Sequence, residues 1–397
     1  MPYDLFSPAF KANPFPTFAQ MREHDPIYAQ RTPDGRAIWY VTRYEDVTAV
    51  LKDDVHFCKD PRHAKPDDEP RHSPLHQLIN ENMLFADPPD HTRLRALVNQ
   101  AFTPRRVERM DGRIRQIAQD LLSGARARGQ MELIAEYALP LPVRIICELL
   151  GVPLADQSDV SDWSQAIIAP GSRGLNYSAR RRKVKALVDY LQRMFADRAT
   201  NPQDDLVTAL VQAEEAGAKL NVQELSSMVA LLLVTGHETT VNLIGNGVLA
   251  LLTHPDQLAR LLAGEVEWGT AVNELLRYDG PVETSTTRWV RQDMVWRGQQ
   301  LRRGDVMRVV LAAANRDETQ FDRPDALDVG RTNNRHLAFG VGIHYCLGAP
   351  LARLEGHIAL SLLFTQFPGL RLAVPPEQLR WRSGVLFRGL QALPVAW

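Results

Sequence analysis

Residues 221–255, NVQELSSMVALLLVTGHETTVNLIGNGVLALLTHP, are apolar nearly all the way round when wound into a helix. A helix without a polar face cannot lie on a protein surface, so it belongs at the centre with other elements on every side. Pro255 stops it. Covering helices follow the same 3.6-residue logic elsewhere: HTRLRALVNQAF from His91, RVERMDGRIRQIAQDLLSGARARG after Pro104, the short apolar LPLPVRIICELLG, and VEWGTAVNELLRYDGP, ended by Gly280 and Pro281. DWSQAIIAPGSRGLNYSARRRKVKALVDYLQRMFADRAT reads as two helices joined by a Pro/Gly turn. Alternating, turn-punctuated segments are fewer: AIWYVTR at 37–43 and TRWVRQDMVWRGQQLRRGDVMRVVLAAANRD near the other end predict a small sheet, and LRWRSGVLFRGLQALPVAW a terminal hairpin. The class is mainly α with a smaller β part, without internal repeats, over a single domain 1–397.

Charge excludes some functions. A formal net charge of −1 lacks the basic surplus of a nucleic-acid binder, and the basic run at 179–185 reads as a solvated helix face. The first twenty residues hold no apolar run, so neither a signal peptide nor a membrane anchor is expected, and the chain is placed in the cytoplasm. Three widely spaced cysteines suit a reducing compartment, and the lack of a C-x-x-C pair speaks against structural zinc.

One of those cysteines, Cys346, sits in HLAFGVGIHYCLGAPLARLEGHIAL, where a glycine- and aromatic-rich loop meets a helix expected from Cys346 to about Phe367. It could be a structural thiol, a nucleophile, a zinc ligand or a thiolate ligand to haem iron. The loop and helix supply what a ligating thiolate needs: backbone N–H groups freed by glycines, and the positive end of a helix. Pro350 is tolerated in the first turn.

The spacing of Phe339, Gly342, His344, Cys346 and Gly348, F-x-x-G-x-H-x-C-x-G, closely resembles the haem-ligand signature of the cytochrome P450 monooxygenases. The resemblance implies Cys346 as axial ligand, Phe339 packed near the sulfur and His344 at a haem propionate. Three other segments match in order. NELLR carries Glu274 and Arg277, which with Arg331 of FDRPDALDVGR would form the family's buried ionic triad. TGHETT places Glu238 and Thr239 as the acid–alcohol pair of the oxygen-activation groove, with Thr235 where Ala or Gly is commoner; Gly236 permits close backbone approach, and Thr239 could bend the helix by bonding back to a carbonyl. DPPDHTRLR sets His91 and Arg95 on one helix face for one propionate, and Arg288 matches the arginine that serves the other.

Membership of this family would mean a cytochrome P450 fold, a helical bundle around haem with a long central helix and small β-sheets. The resemblance also implies haem b (iron protoporphyrin IX), O2 as co-substrate, and NAD(P)H electrons arriving indirectly through a ferredoxin or flavodoxin with its reductase, since the chain stops soon after the ligand helix without a fused reductase. A monomer acting on a hydrophobic small molecule, of the macrolide, fatty-acid or terpenoid kind, is expected. Matching to the family gives Met83, Leu84, Leu231, Val234, Thr235, Thr284, Ser285, Leu386 and Phe387 as pocket walls, and the 160–185 and 59–88 segments as a lid. Two rivals are a peroxide-using enzyme of the same fold, which tends to lack the acid–alcohol pair, and a haem-thiolate sensor, which would carry an output domain.

Overall fold

Val222–Thr253 is one unbroken α-helix of 32 residues in the computed structural model, which describes residues 3–32, 37–65, 81–168, 176–214 and 217–397. By length and composition this helix could cross a membrane, yet 72% of its most apolar window is buried within the protein. Pro255 does more than end it: after the His254 cap it opens the next helix, Pro255–Leu262, from the first turn, where its missing N–H costs nothing.

The chain forms two compact units. One comprises Met1–Asp68, Gly112–Leu139 and Thr239–Trp397; the other comprises Glu69–Asp111 and Pro140–Glu238. The first is organised by a five-stranded sheet, in the order Ile27–Arg31, Ala37–Val41, Val306–Val309, Arg288–Val290, Phe57–Cys58. Ala37–Val41 runs parallel to Val306–Val309, and the other pairings are antiparallel. Strand side chains alternate between faces. Ala37, Trp39 and Val41 therefore join Val290, Met307 and Val309 in one core. Tyr40 points the other way, into a cluster with Phe10, Phe18 and Met21. Both faces are covered, which is why the strand reads as a nearly continuous apolar run.

The expected sheet in 287–317 divides. Arg288–Val290 and Val306–Val309 enter the large sheet, while Met294–Trp296 and Gln299–Leu301 pair only with each other. The terminal hairpin spans less than its sequence suggested. Arg382 N–H bonds Gly389 O and Gln391 N–H bonds Arg380 O, but Pro394–Ala396 leaves to pair with Gln130–Glu132 and Arg371–Leu372. The second unit is helical: Asp90–Ala101, Pro104–Glu108, Pro140–Leu150, Gln157–Ile168, Tyr177–Thr200 and Leu206–Gln212. Of the expected lid, 66–80 and 169–175 lie outside the described residues.

Candidate active site

Cys346 ends a tight loop. Its N–H bonds the Phe339 carbonyl at 3.0 Å, closing the loop between them. Gly342 turns that loop at φ +82°, and a Cβ there would stand 2.8 Å from the Leu51 carbonyl oxygen, so only glycine fits. The helix then runs Ala349–Gln366 with Gly348 as its N-cap. It starts three residues later than the apolar pattern suggested. Ala349 N–H reaches Cys346 O at 3.5 Å in a turn, and the first regular bond runs from Ala352 N–H to Gly348 O at 2.9 Å. Cys346 thus sits just before the positive end of an 18-residue helix, with its thiol partly accessible, whereas Cys58 and Cys147 are buried. A Cβ on Gly348 would lie 4.0 Å from the Cys346 sulfur, so glycine leaves that flank of the thiol uncovered.

Glu274, Arg277 and Arg331 come together as expected. Arg277 Nε and Nη2 donate to the two Glu274 carboxylate oxygens at 2.7 and 2.8 Å, both side chains fully buried. Arg331 Nε donates to the same carboxylate at 3.1 Å. The remaining Arg277 donors go to the Asn315, Pro324 and Ala326 carbonyls, and the remaining Glu274 capacity to Asp328 N–H and Asn334 Nδ2. A buried charge is tolerable only when its hydrogen bonds are met in this way. The cluster ties helix Trp268–Asp279 to the irregular chain of 315–334.

In the same unit, residues 282–285 lie beside 385–387. Glu283 N–H bonds Leu386 O, and Val282 bridges Phe387. Leu386 and Phe387 are partly accessible, as wall residues should be. Thr284 and Ser285, the other two wall candidates of this unit, have hydroxyls already in use. Thr284 is buried and donates to Val385 O at 2.8 Å; Ser285 bonds Thr286 O and accepts from Arg288 at 3.4 Å. The Thr284 hydroxyl thus links 282–285 to 385–387. Arg288 is buried on its strand, and His344 is partly accessible in the Cys346 loop.

The rest of the expected set lies on the central helix, whose residues belong to the second unit up to Glu238 and to the first from Thr239, and on the 82–95 segment of the second unit. On the central helix Leu231, Val234, Thr235 and Gly236 are partly accessible, as is Thr239 one turn on, while Leu232, Leu233, His237, Glu238 and Thr240 are buried. The helix continues without a break through this segment. Thr235 and His237 bond back to the Leu231 and Leu233 carbonyls at 2.8 and 2.6 Å. Gly236 is close-packed: a Cβ would lie 3.1 Å from Ile146 Cδ1. Met83 is buried and Leu84 partly so. Their segment is pinned to the central helix by Asn82 Nδ2, which donates to Ser227 Oγ at 3.1 Å. His91 is buried in the first turn of Asp90–Ala101, and Arg95 follows one turn later, partly accessible.

The spacing of residues did not single out Asn273, His336 and Arg353, which surround Phe339. Asn273 Oδ1 bonds both His336 Nε2 and Arg353 Nε, at 3.2 and 2.9 Å. Asn273 precedes Glu274 directly, yet an isolated asparagine on a helix carries no sequence signal that separates it from a surface residue.

No group of three or more His, Cys, Asp or Glu suited to hold a metal ion occurs among the described residues. Within the first unit, a partly accessible thiol at a helix start, with buried Arg288 and partly accessible His344, suits an iron porphyrin that carries propionates.

Comparison with known proteins agrees. A family model described as cytochrome P450 matches residues 269–384. The polyketide biosynthesis cytochrome P450 PksS of Bacillus subtilis (strain 168) is 42% identical over 98% of this chain and 96% of its own. Its solved structure superposes with a TM-score of 0.93, at 41% identity, over 100% and 99% of the two chains. The vitamin D(3) 25-hydroxylase of Pseudonocardia autotrophica is 43% identical over 99% of this chain and 96% of its own. A structure of P450BioI in complex with hexadec-9Z-enoic acid ligated acyl carrier protein matches with a TM-score of 0.89, at 36% identity, over 98% and 100%. Identity this high along nearly the whole of each chain admits one family: the chain is a cytochrome P450, a haem-iron monooxygenase that uses O2 and electrons drawn from NAD(P)H through a partner.

Proposed function

We propose that this enzyme hydroxylates a large apolar small molecule of the macrolide, fatty-acyl or terpenoid kind, with Cys346 as the axial thiolate. The observation that carries the assignment is the setting of Cys346, the accessible one of three cysteines, at a helix start and locked by its N–H to Phe339. Relatives named for polyketide biosynthesis, for vitamin D(3) and for a long-chain acyl complex support the substrate class. The partly accessible Leu231, Val234 and Leu84 would meet such a substrate, joined by Met83, Thr235, Thr284, Ser285, Leu386 and Phe387. The whole of 1–397 is read as one monomeric domain of the cytoplasm.

The haem iron supplies the O2 chemistry when bound. This chain's residues supply the rest. His91, Arg95, Arg288 and His344 would bind the propionates through charge-assisted contacts. Buried Glu238 would pass protons inward and Thr239 would hold one beside the reacting oxygen. Thr239→Ala should keep haem, substrate binding and NAD(P)H consumption, while product per NAD(P)H falls and hydrogen peroxide accounts for the difference. Glu238→Gln should instead slow product formation and NAD(P)H consumption together, by roughly 10²-fold, the usual worth of a positioned proton donor. Coupling left intact by Thr239→Ala would reduce Thr239 to a helix residue.

A ferredoxin or flavodoxin is the proposed donor. Of the basic residues near the motifs, Arg93 is engaged by Glu224, Arg106 lies 3.7 Å from Asp204, and Arg353 is held by Asn273. Exposed Arg105 is the better candidate for steering an acidic partner. Reduction should slow as ionic strength rises, because steering is screened beyond about 10 Å at 0.1 M salt; a flat rate would count against an acidic donor. The assignment as a whole is tested on the reduced, CO-bound protein, which should show the red-shifted Soret band of a thiolate-ligated haem, and by product formation that requires NAD(P)H and a redox partner. Equal turnover with peroxide alone would favour the peroxide-using alternative.

A further inference from the structure

The Phe339 ring is enclosed on three sides. The Arg353 guanidinium carbon lies 4.5 Å from its centroid. The His336 ring stands at 5.8 Å, and the Tyr345 ring meets it edge-on at 6.4 Å. The enclosing groups are themselves joined. Asn273, on helix Trp268–Asp279, accepts from Arg353 Nε at 2.9 Å and shares a 3.2 Å bond with His336 Nε2. Arg353 Nη1 reaches the Tyr345 hydroxyl at 3.4 Å.

The His336 tautomer is set by its partners. Nδ1 accepts from Ala338 N–H at 3.2 Å. Burial, then the charges of Arg353 and Arg277, push the His336 pKa down to about 3, so the ring is neutral and Nε2 carries its proton, donated to Asn273. Asn273 Oδ1 is thus a single acceptor for two donors that both pack near Phe339. Asn273 is fixed in turn, because its Nδ2 donates to Gly269 O at 2.9 Å. The bracket is anchored on the helix that carries Glu274 and Arg277.

We propose that Arg353, held by Asn273, is a positioning residue for Cys346: the bracket immobilises Phe339, and through the Phe339 carbonyl it immobilises the Cys346 backbone. The covalent path is short. The carbonyl that accepts the Cys346 N–H at 3.0 Å belongs to the residue whose ring is clamped, so a shift of Phe339 that carries its main chain along would also shift the bond that locks the ligating residue. A guanidinium over an aromatic face adds to the two hydrogen bonds. The inference rests on the reading of Cys346 as the axial ligand.

The test uses the haem-loaded, full-length enzyme and two variants that attack the bracket from opposite ends. Arg353→Gln removes the cation. Asn273→Ala leaves the cation and removes the acceptor that orients it. The readout is the iron–sulfur stretching band of the resting ferric protein in resonance Raman, with the global unfolding midpoint measured beside it. A freed Phe339 lets the sulfur sample more orientations, so both variants should show a broadened band at an unfolding midpoint close to wild type. Loss of the thiolate-type Soret band from the reduced, CO-bound form should also run roughly five- to tenfold faster, the scale of one or two lost hydrogen bonds. The band width decides. If either variant keeps the wild-type width, the bracket does not position Cys346 and the inference is overturned. Failure of the underlying ligation is separable, because it appears in the wild-type protein as an absent thiolate-type band before any variant is made.

Discussion

Cys346→His is expected to abolish the red-shifted Soret band of the reduced, CO-bound protein and to reduce monooxygenase turnover to background, while the chain still folds. The expectation rests on ligand chemistry. A thiolate pushes electron density onto the iron and favours O–O cleavage; a neutral imidazole does not. It rests also on what the other thiols cannot do. Cys58 is buried, with its sulfur bonded to the Trp289 carbonyl at 3.4 Å. Burial pushes the Cys147 thiol up to about 12, so it stays protonated at working pH. Cys58→Ala and Cys147→Ala should therefore leave the spectrum as in the wild type. Absorbance of the reduced, CO-bound proteins is enough to decide, and a thiolate-type band in Cys346→His would remove Cys346 from the ligand position.

Arg277→Met is expected to destabilise the enzyme by about 3–5 kcal/mol, the cost of stranding a buried charge. Several features make the effect large here. Both Arg277 and Glu274 are fully buried at the side chain. Glu274 would keep only Arg331, Asp328 N–H and Asn334 as partners. The Asn315 and Pro324 carbonyls would lose the Arg277 donor, and Ala326 O would keep only the longer 3.4 Å bond from Arg331. The guanidinium also lies 5.4 Å from the Phe321 ring centroid. Arg277→Lys should be nearly as damaging, because a single ammonium with three donors cannot serve a carboxylate and three carbonyls spread around a plane. Urea unfolding followed with haem absorbance gives the number. An Arg277→Lys protein as stable as the wild type would show that charge alone, without the planar geometry, holds this cluster.

These residues also show what sequence could and could not supply. Glu274, Arg277 and Arg331 were legible because NELLR and FDRPDALDVGR resemble two segments of the family, and they do meet; the spacing of Glu274 and Arg277 alone would have read as a surface ion pair. The central helix was legible because all-round apolarity leaves a helix one place to go. The start of the ligand helix was not: residues 346–348 have helix-compatible composition, and only the Gly348 cap geometry excludes them. Strand partners were hidden as well, since the alternation of AIWYV shows that a strand exists but not that Val306–Val309 lies parallel beside it. Thr284 and Ser285 were named as wall candidates by position, and position does not show that their hydroxyls bond Val385 O and Thr286 O. The enclosure of Phe339 could not be read at all, because Asn273, His336 and Arg353 meet only through tertiary packing.

The interleaving of the first unit has a consequence for how the enzyme is made. Trp39 bonds Asp305 across 266 residues of chain, and the strand Ala37–Val41 acquires its parallel neighbour only when Val306–Val309 exists. At roughly 5–20 residues per second of synthesis, the early hairpin waits on the order of tens of seconds with one edge unpaired, a state in which strands recruit wrong partners. Nor can Gln130–Glu132 be capped before Pro394–Ala396, three residues that end one before the last of the chain, has emerged. Translation speed and chaperone supply, rather than the final stability of the enzyme, should therefore govern how much of it a cell recovers.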